Sequence, residues 1–429
     1  MSLFGAMNTA VSGLGAQSAA FGNISDNVAN SQTVGYKQVD TNFADYLTQS
    51  TVTQNQPGSV IASASYENAV QGSISSTTNA LNLAISGNGF FAVSTATGNN
   101  SNGTPTLSAT QSYTRAGDFN LDQNGYLVNS EGDYLNGWTT SPTTGIPITN
   151  TLTPIQISTA ANPPTETSSV SLSANLPANP GSTSTLSNNQ TVYDSQGNAE
   201  NLSYSYAKSP TTPNTWTMSV SQNGTAIGTA DLTFATDGTL SSVGNATGGV
   251  TLPATTSGSG NPADISFTPT TGNFTTPITL NMGNFGGSSG MTQYSGSSLL
   301  LNGLTQNGTT TGTYSGTTIN SSGQVIVSYS NGNTQIAAQV PLVNFANADG
   351  LQRENAQNFQ ATTESGTGSV AAENTNGTGS LVTSALEGSN VDISTQLTKL
   401  IVAQQAYSAN TKIITAADQL LQQTVSMVT

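Results

Sequence analysis

The chain of 429 residues contains no cysteine and no histidine. Those two absences together exclude disulfides, thiolate nucleophiles, Cys/His zinc sites, imidazole bases and Ser-His-Asp triads. Charge is scarce as well: 21 Asp and Glu stand against 6 Lys and Arg, for a net charge of −15. The cations Lys37, Arg115, Lys208, Arg353, Lys399 and Lys412 are scattered, so no basic patch offers itself to nucleic acid or to an anionic membrane. No stretch approaches the roughly 18 consecutive apolar residues of a membrane-inserted helix. The first 36 residues hold no Lys or Arg, and Asn8, Ser12 and Gln17 interrupt their apolar stretches, so no cleaved secretory leader is expected. Neither a GxGxxG nor a P-loop stands in a helical context, and no cofactor is expected.

What is present is periodicity at the two ends. Met7, Leu14, Phe21 and Val28 fall seven apart, with Leu3, Ala10 and Ile24 beside them, which predicts an amphipathic helix with a coiled-coil seam. Ser2 is a candidate N-cap. Helicity is expected to fail between Asn30 and Gly35, where competing side-chain hydrogen bonds and a glycine follow one another. At the far end Leu386, Ile393, Leu400, Tyr407, Ile414, Leu421 and Val428 keep the sevenfold spacing, with Asp392 or Ser389 as cap. Such a stripe is usually core within one chain. Here both stripes are terminal, so the ends are expected to pair. Ala403, Ala406, Ala409, Ala416 and Ala417 leave further small-residue surface for helices of other subunits.

Between the ends, Val, Ile, Leu, Phe and Tyr recur in short bursts separated by Gly, Asn, Ser and Thr, the pattern of strands and turns. Leu81 to Ile85 and Phe90 to Val93, around Gly87 and Gly89, read as strands with a turn or bulge. A second hairpin is expected in Tyr113 to Phe119 and Gly125 to Val128. Strand-like pieces follow at 201–206, 216–220, 231–234 and 266–268, and a further hairpin turns at Asn331-Gly332. The expected fold is mainly β with α-helical coiled-coil termini, in a nested arrangement. Residues 1–45 with 386–429 form a terminal helical domain, 46–70 an extended linker, 71–144 with 311–385 an inner β domain, and 145–310 an inserted outer β domain.

Candidate chemistry is thin. Asn120, Asp122, Asn124, Gly125 and Glu131 follow the spacing of a calcium loop, but their flanks read as strand and turn, which favours a Gly-containing hairpin turn. Asp231 with Asp237, or Glu354 with Glu364, would suit a carboxylate-pair glycoside hydrolase, yet most acidic residues here stand in turns. A β-rich secreted carbohydrate-binding protein or hydrolase is therefore the competing class; no enzyme activity and no metal is expected.

Several separated motifs resemble the bacterial flagellar axial proteins, the rod and hook subunits, and among them the hook members. They are Ser12-Gly13-Leu14; Asn27-Val28-Ala29-Asn30 with Thr33, Gly35, Tyr36 and Lys37; Leu83-Ala84-Ile85 with Gly87, Gly89, Phe90 and Phe91; and Tyr113-Thr114-Arg115 with Gly117 and Phe119. Leu386-Glu387 with Ser389-Asn390-Val391-Asp392, then Gln404, Tyr407, Asn410 and Lys412, complete the set. The long insert at 145–310 favours hook over rod; a distal rod subunit is the nearest alternative. Asn82 and Gln396 stand where the family usually has acidic residues, and Gln405 replaces a common Arg.

The resemblance implies a structural subunit that polymerises into the flagellar hook, a curved flexible tube joining the basal-body rod to the filament and transmitting torque. It implies export through the flagellar type III apparatus and an extracellular place. Expected partners are other copies of the chain, the distal rod protein, the hook cap and the hook–filament junction proteins. The helix seams named above are the expected polymer interface.

Overall fold

The computed structural model describes residues 3–50, 55–100, 104–141, 145–149, 151–180 and 186–428. The chain is mainly β with one long helix at each end, and it divides into two compact units. The first comprises Met1–Ser158, Gly316–Val327 and Thr334–Thr429; the second comprises Thr159–Ser315 and Ser328–Asn333. The candidate cap Ser2 lies outside the described residues.

Helix α1 spans Leu3–Ala29 and runs about 40 Å at 1.5 Å per residue. Its end matches the sequence expectation in mechanism. The Asn30 amide donates to the Asp26 carbonyl at 2.9 Å and the Ser31 hydroxyl to the Val28 carbonyl at 2.8 Å, capping the last turn from side chains. Gly35 then takes φ +69° with its backbone packed on Ala116, where a Cβ would sit 2.5 Å from a main-chain nitrogen. The segment after it, which the sequence reading divides between terminal domain and linker, is an antiparallel ribbon of β1 (Val39–Ser50) and β2 (Asn55–Tyr66).

The inner sheet of the first unit runs, in spatial order, through Thr334–Gln339, Asp133–Thr139, Phe91–Asn99, Ser112–Thr114, Asn358–Gln360 and Gln352–Arg353, all antiparallel. Phe90, Ala92, Val343, Phe345, Leu351 and Phe359 pack as one core on it, with Phe90 edge-on to both Phe345 and Phe359. Two corrections to the sequence reading arise here. Leu83–Ser86 does not form a hairpin with Phe91–Asn99. It pairs with Ser380–Thr383, and Gly87 (φ +101°) and Gly89 (φ +127°) carry the chain from one sheet to the next. The following hairpin is shorter than expected, Asn120–Leu121 against Leu127–Val128, because Ser112–Thr114 pairs with Phe91–Val93 instead.

The C-terminal return pairs Ala385–Glu387 with Ile74–Ser76 and then enters helix α2, Ile393–Val428. Leu386, expected as the first seam position of that helix, therefore lies in a strand. Helix α2 starts at the cap Asp392, whose carboxylate accepts the amides of Ser394 at 2.8 Å and Thr395 at 3.3 Å. Those amides, Thr395 first, hold the Asp392 carboxyl below its ordinary value.

Among the described residues, the buried apolar side chains of the second unit form one core, with two five-stranded sheets contributing to it. One is a meander of Leu186–Tyr193, Ala199–Lys208, Thr215–Gln222, Thr225–Phe234 and Leu240–Gly248. Alternation decides its faces: Trp216, Met218 and Val220 are buried, with Thr217 and Ser219 between them turned outward. The other sheet brings Ser169–Asn175 beside Ile278–Asn284 in parallel, a pairing that local pattern does not announce.

Candidate functional site

The two terminal helices pack antiparallel. Gly13 of α1 faces Asn410 of α2, Phe21 meets Tyr407 edge-on at 6.2 Å, and Asn27 donates to Gln396 at 3.3 Å. The face of α1 that is covered consists of Ala10, Gly13, Ala16, Ala20, Ile24 and Asn27. Small residues let the neighbouring backbones approach closely. The expected seam residues Met7, Leu14, Phe21 and Val28 lie on its flank, half-buried, while the side chain of Leu3 is outside the described residues.

On α2 the covered line runs through Gln396, Ala403 and Ala417, with Leu400, Asn410, Ile414 and Leu421 half-buried beside it. Ile393 and Tyr407, expected in the same seam, are exposed, as is Gln404; the side chain of Val428 is outside the described residues. Leu397, Ile401, Val402, Ile413, Leu420 and Val425 are exposed too, as are Phe4 and Val11 on α1. Two helices have buried one seam and left apolar side chains facing water along much of α2. A surface of this kind marks an interaction site.

The ribbon of β1 and β2 is stitched to the polar side of α1. The Val60 amide donates to the Ser12 hydroxyl at 3.0 Å, and the Asn23 amide to the Thr41 hydroxyl at 2.8 Å. Asn27 ties four elements: its amide exchanges hydrogen bonds with the main chain of Val39 and reaches Gln396, and it accepts from the Tyr36 hydroxyl at 3.1 Å. Gln396 donates onward to Gln38, whose amide donates to Glu67. A relay of three side-chain amides, Asn27, Gln396 and Gln38, thus links the two helices to the Glu67 carboxylate. Asn82 donates to Thr77 at 3.0 Å, and Gln405 is exposed.

The root of the helix pair is ionic. Glu387 is fully buried, with Lys37 at 2.6 Å and Arg115 at 2.9 Å, both themselves buried. The Gly72 amide also donates to its carboxylate and the Gly35 amide to its carbonyl. Lys37 reaches the Val70 carbonyl at 2.6 Å; Arg115 reaches the Gly87 carbonyl at 2.8 Å and lies over the Phe90 ring. Burial holds the Lys37 ammonium below the ordinary lysine range; Glu387 pulls it back up and Arg115 pushes it further down. Gly117 completes the nest, since a Cβ there would fall 1.8 Å from the Leu83 carbonyl oxygen. Asn390 accepts the Gln38 amide at 2.7 Å and donates to Glu67 and Val70 carbonyls, fixing the approach to α2.

Motif positions Gly35, Tyr36, Gly87, Gly89, Phe90, Phe91, Arg115, Gly117 and Asn390 therefore gather around this root or the sheet beside it. Asn27 joins it through Tyr36, and Asn30 caps α1. Lys37 and Glu387 stand inside the motifs, but the motif pattern does not mark them as the centre of the root. The available signal was the scarcity of cations: in a chain with six, one beside a buried-type aromatic at Tyr36-Lys37 is not a casual surface charge.

The loop from Asn120 to Glu131 is a hairpin tip. The Asp122 carboxylate accepts the amides of Asn124 at 2.9 Å and Tyr126 at 2.7 Å, an Asx-type turn. Among the described residues no cluster of three or more acidic side chains is placed to hold a metal ion. No helix there is long and apolar enough to cross a membrane.

Family models match along most of the chain. The flagella basal body rod protein model covers residues 7–37, and the flagellar hook protein FlgE/F/G D1 domain covers 84–174. The flagellar basal body protein FlaE D2 domain covers 160–309, and the flagellar basal body rod FlgEFG protein C-terminal model covers 382–427. The flagellar hook protein of Rhizobium meliloti is 32% identical, with 100% of each chain covered. That of Escherichia coli is 32% identical over 98% of this chain and 100% of the relative. A crystal structure of a Helicobacter pylori flagellar hook protein aligns with TM-score 0.48 at 14% identity, over 72% of this chain and 98% of that one.

Proposed function

The chain belongs to the flagellar hook protein family, and from that premise we propose that its terminal helices are the part of the subunit that neighbouring copies complete in the hook wall. The observation that carries this reading is the row of exposed apolar residues on α2, Leu397, Ile401, Val402, Ile413 and Leu420, left open after α1 has packed. In a tube those residues bury against helices of other copies, and the seam residues Met7, Leu14, Phe21, Val28, Leu400, Ile414 and Leu421 become fully covered. A hook is a helical polymer, so these contacts are heterologous and do not close.

The same division of surface suits a bending joint that transmits torque. Close-packed apolar helix seams resist sliding, whereas contacts between Ser- and Thr-rich β faces re-form through water at little cost. The subunit leaves the cell through the flagellar export apparatus with its helices loosely held, orders them at the growing tip beneath a cap protein, and in the finished flagellum adjoins distal rod and hook–filament junction proteins. The apolar row supports that order of events, because helices without complete packing are marginal in water.

Electron microscopy of the purified chain at high concentration, beside circular dichroism of a dilute sample, tests the reading. Curved tubes with a rise in helix content are expected. Discrete monomers whose helicity is already complete in dilute solution would overturn it.

A further inference from the structure

The first unit contains an open cleft of about 1140 Å3 between the C-terminal half of α1, the ribbon of β1 and β2, and two turns of the inner sheet. Asp26 lines it from α1, Glu131 from the turn before Asp133–Thr139, and Glu354 from the turn after Gln352–Arg353. All three are exposed, and none of their carboxylates has a hydrogen-bond or ion-pair partner among the described residues. A fourth acceptor lies in the wall. Asn358 is buried, its amide nitrogen donates to Asp133 at 2.8 Å, and its side-chain oxygen has no partner.

The one cation in the wall does not neutralise these groups. Arg353 donates to the Lys37 carbonyl and to the Gln357 side chain, each at 3.0 Å, and stacks on Tyr36 at 4.2 Å. Those bonds, with one from the Thr114 hydroxyl to the Gln357 carbonyl, hold a turn in which Ala356 and Gln357 both take positive φ, 61° and 56°. Non-glycine residues rarely adopt that conformation, and two in succession mark a turn kept in place for its position. It fixes Glu354 at the cleft edge.

The cleft thus presents acceptors that are too dispersed for one metal ion, a geometry that suits a cation on a flexible stem. The chain has few such groups. Lys37 and Arg115 hold Glu387, Lys399 holds Asp40, Lys208 donates to the Ala178 carbonyl, and Arg353 is engaged as described. Lys412 remains, exposed on α2 with an ammonium that has no partner among the described residues. It cannot serve its own cleft. Asn410 sits beside Gly13, and Asp26 is thirteen residues further along α1, about 20 Å away at 1.5 Å per residue.

We propose that the cleft between α1, the β1–β2 ribbon and the 354–358 turn receives Lys412 of a neighbouring copy of this chain. The inference rests on the polymer reading above and adds to it a specific contact. Its role is register: an exposed pair contributes little affinity, but it selects one offset between otherwise similar apolar seams.

Two experiments on the full chain decide it. In tubes treated with a water-soluble carbodiimide, which joins an amine directly to a carboxylate, mass spectrometry should find Lys412 linked to Glu354, Glu131 or Asp26. Linkage only to carboxylates outside the cleft would overturn the proposal. Separately, Lys412→Glu should raise the concentration needed for assembly several-fold, through repulsion from the cleft carboxylates, and adding Glu354→Lys or Glu131→Lys should restore it. Unchanged assembly by Lys412→Glu, or loss that neither reversal repairs, would also overturn it. Because these side chains are exposed and unpaired, circular dichroism of dilute samples should show all variants folded. Failure of the unaltered chain to form tubes would instead strike the polymer reading itself.

Discussion

The ammonium of Lys37 lies 2.6 Å from the carboxylate of Glu387 with neither side chain exposed, although 350 residues separate them. With Arg115 on the other carboxylate oxygen, one acid holds two buried cations. Glu387→Gln keeps the shape and removes the charge that opposes both cations. Breaking such an arrangement by taking away one partner costs about 3–5 kcal/mol. The first unit should therefore unfold at a clearly lower urea concentration, with the second unit unchanged; equal midpoints would mean that the pair is neutral to stability.

The helices were legible because their apolar residues repeat, and Asp392 because a capping side chain precedes the repeat. The strands around Trp216, Met218 and Val220 were legible through alternation. Leu386 misled because it stands seven before Ile393, so the heptad continues through it. What ends the helix there is the pairing of Ala385–Glu387 with Ile74–Ser76, a contact across some 310 residues with no local signature. The covered face of α1 was misplaced by one row for a different reason. Ala10, Gly13, Ala16 and Ala20 are buried because close helix approach needs small side chains, whereas periodicity weighs hydrophobicity and points to Met7 and Leu14. Glu387, the centre of the root, looks in sequence like any charged residue beside a glycine.

That root dictates where the C-terminal helix can be removed. A chain ending at Asp392 loses the packing of α2 on α1 but retains Glu387, so its inner sheet and second unit should melt like those of the full chain, yet it should form no tubes. A chain ending at Ala385 loses the counter-charge of Lys37 and Arg115 and should lose inner-unit stability as well. Calorimetry with electron microscopy separates the two; tubes from the Asp392 truncation would show that α2 is dispensable for assembly.

Side chains that are open in one subunit and closed in the polymer should separate folding from assembly. Val402 is 61% exposed, so Val402→Asp should leave the dilute chain's helicity and melting as they were while abolishing tubes. Leu400→Asp and Ile414→Asp alter half-buried positions against α1; these should also stop assembly, with the helix pair loosened and the second unit's melting intact. Loss of β-unit melting in either would identify α2 as ordinary core.

Tyr204 and Tyr206 give the second unit a distinct response to alkali. Both rings are buried, and neither hydroxyl has a hydrogen-bond partner among the described residues. Burial raises both phenols far above their ordinary value near 10, and Tyr204 raises Tyr206 further. The folded unit therefore keeps protons that the unfolded chain releases. Its stability from this source is complete below about pH 10 and is lost as pH climbs toward the folded-state values, by about 1.4 kcal/mol per pH unit for each tyrosine. Urea unfolding of the second unit between about pH 8 and 11 should show that fall. Tyr204→Phe with Tyr206→Phe keeps the rings and removes the ionisable, unpaired hydroxyls. The double variant should match or exceed the parent at neutral pH and hold its midpoint above about pH 10, where the parent declines. A parallel decline in both proteins would assign the alkaline sensitivity to groups elsewhere in the fold.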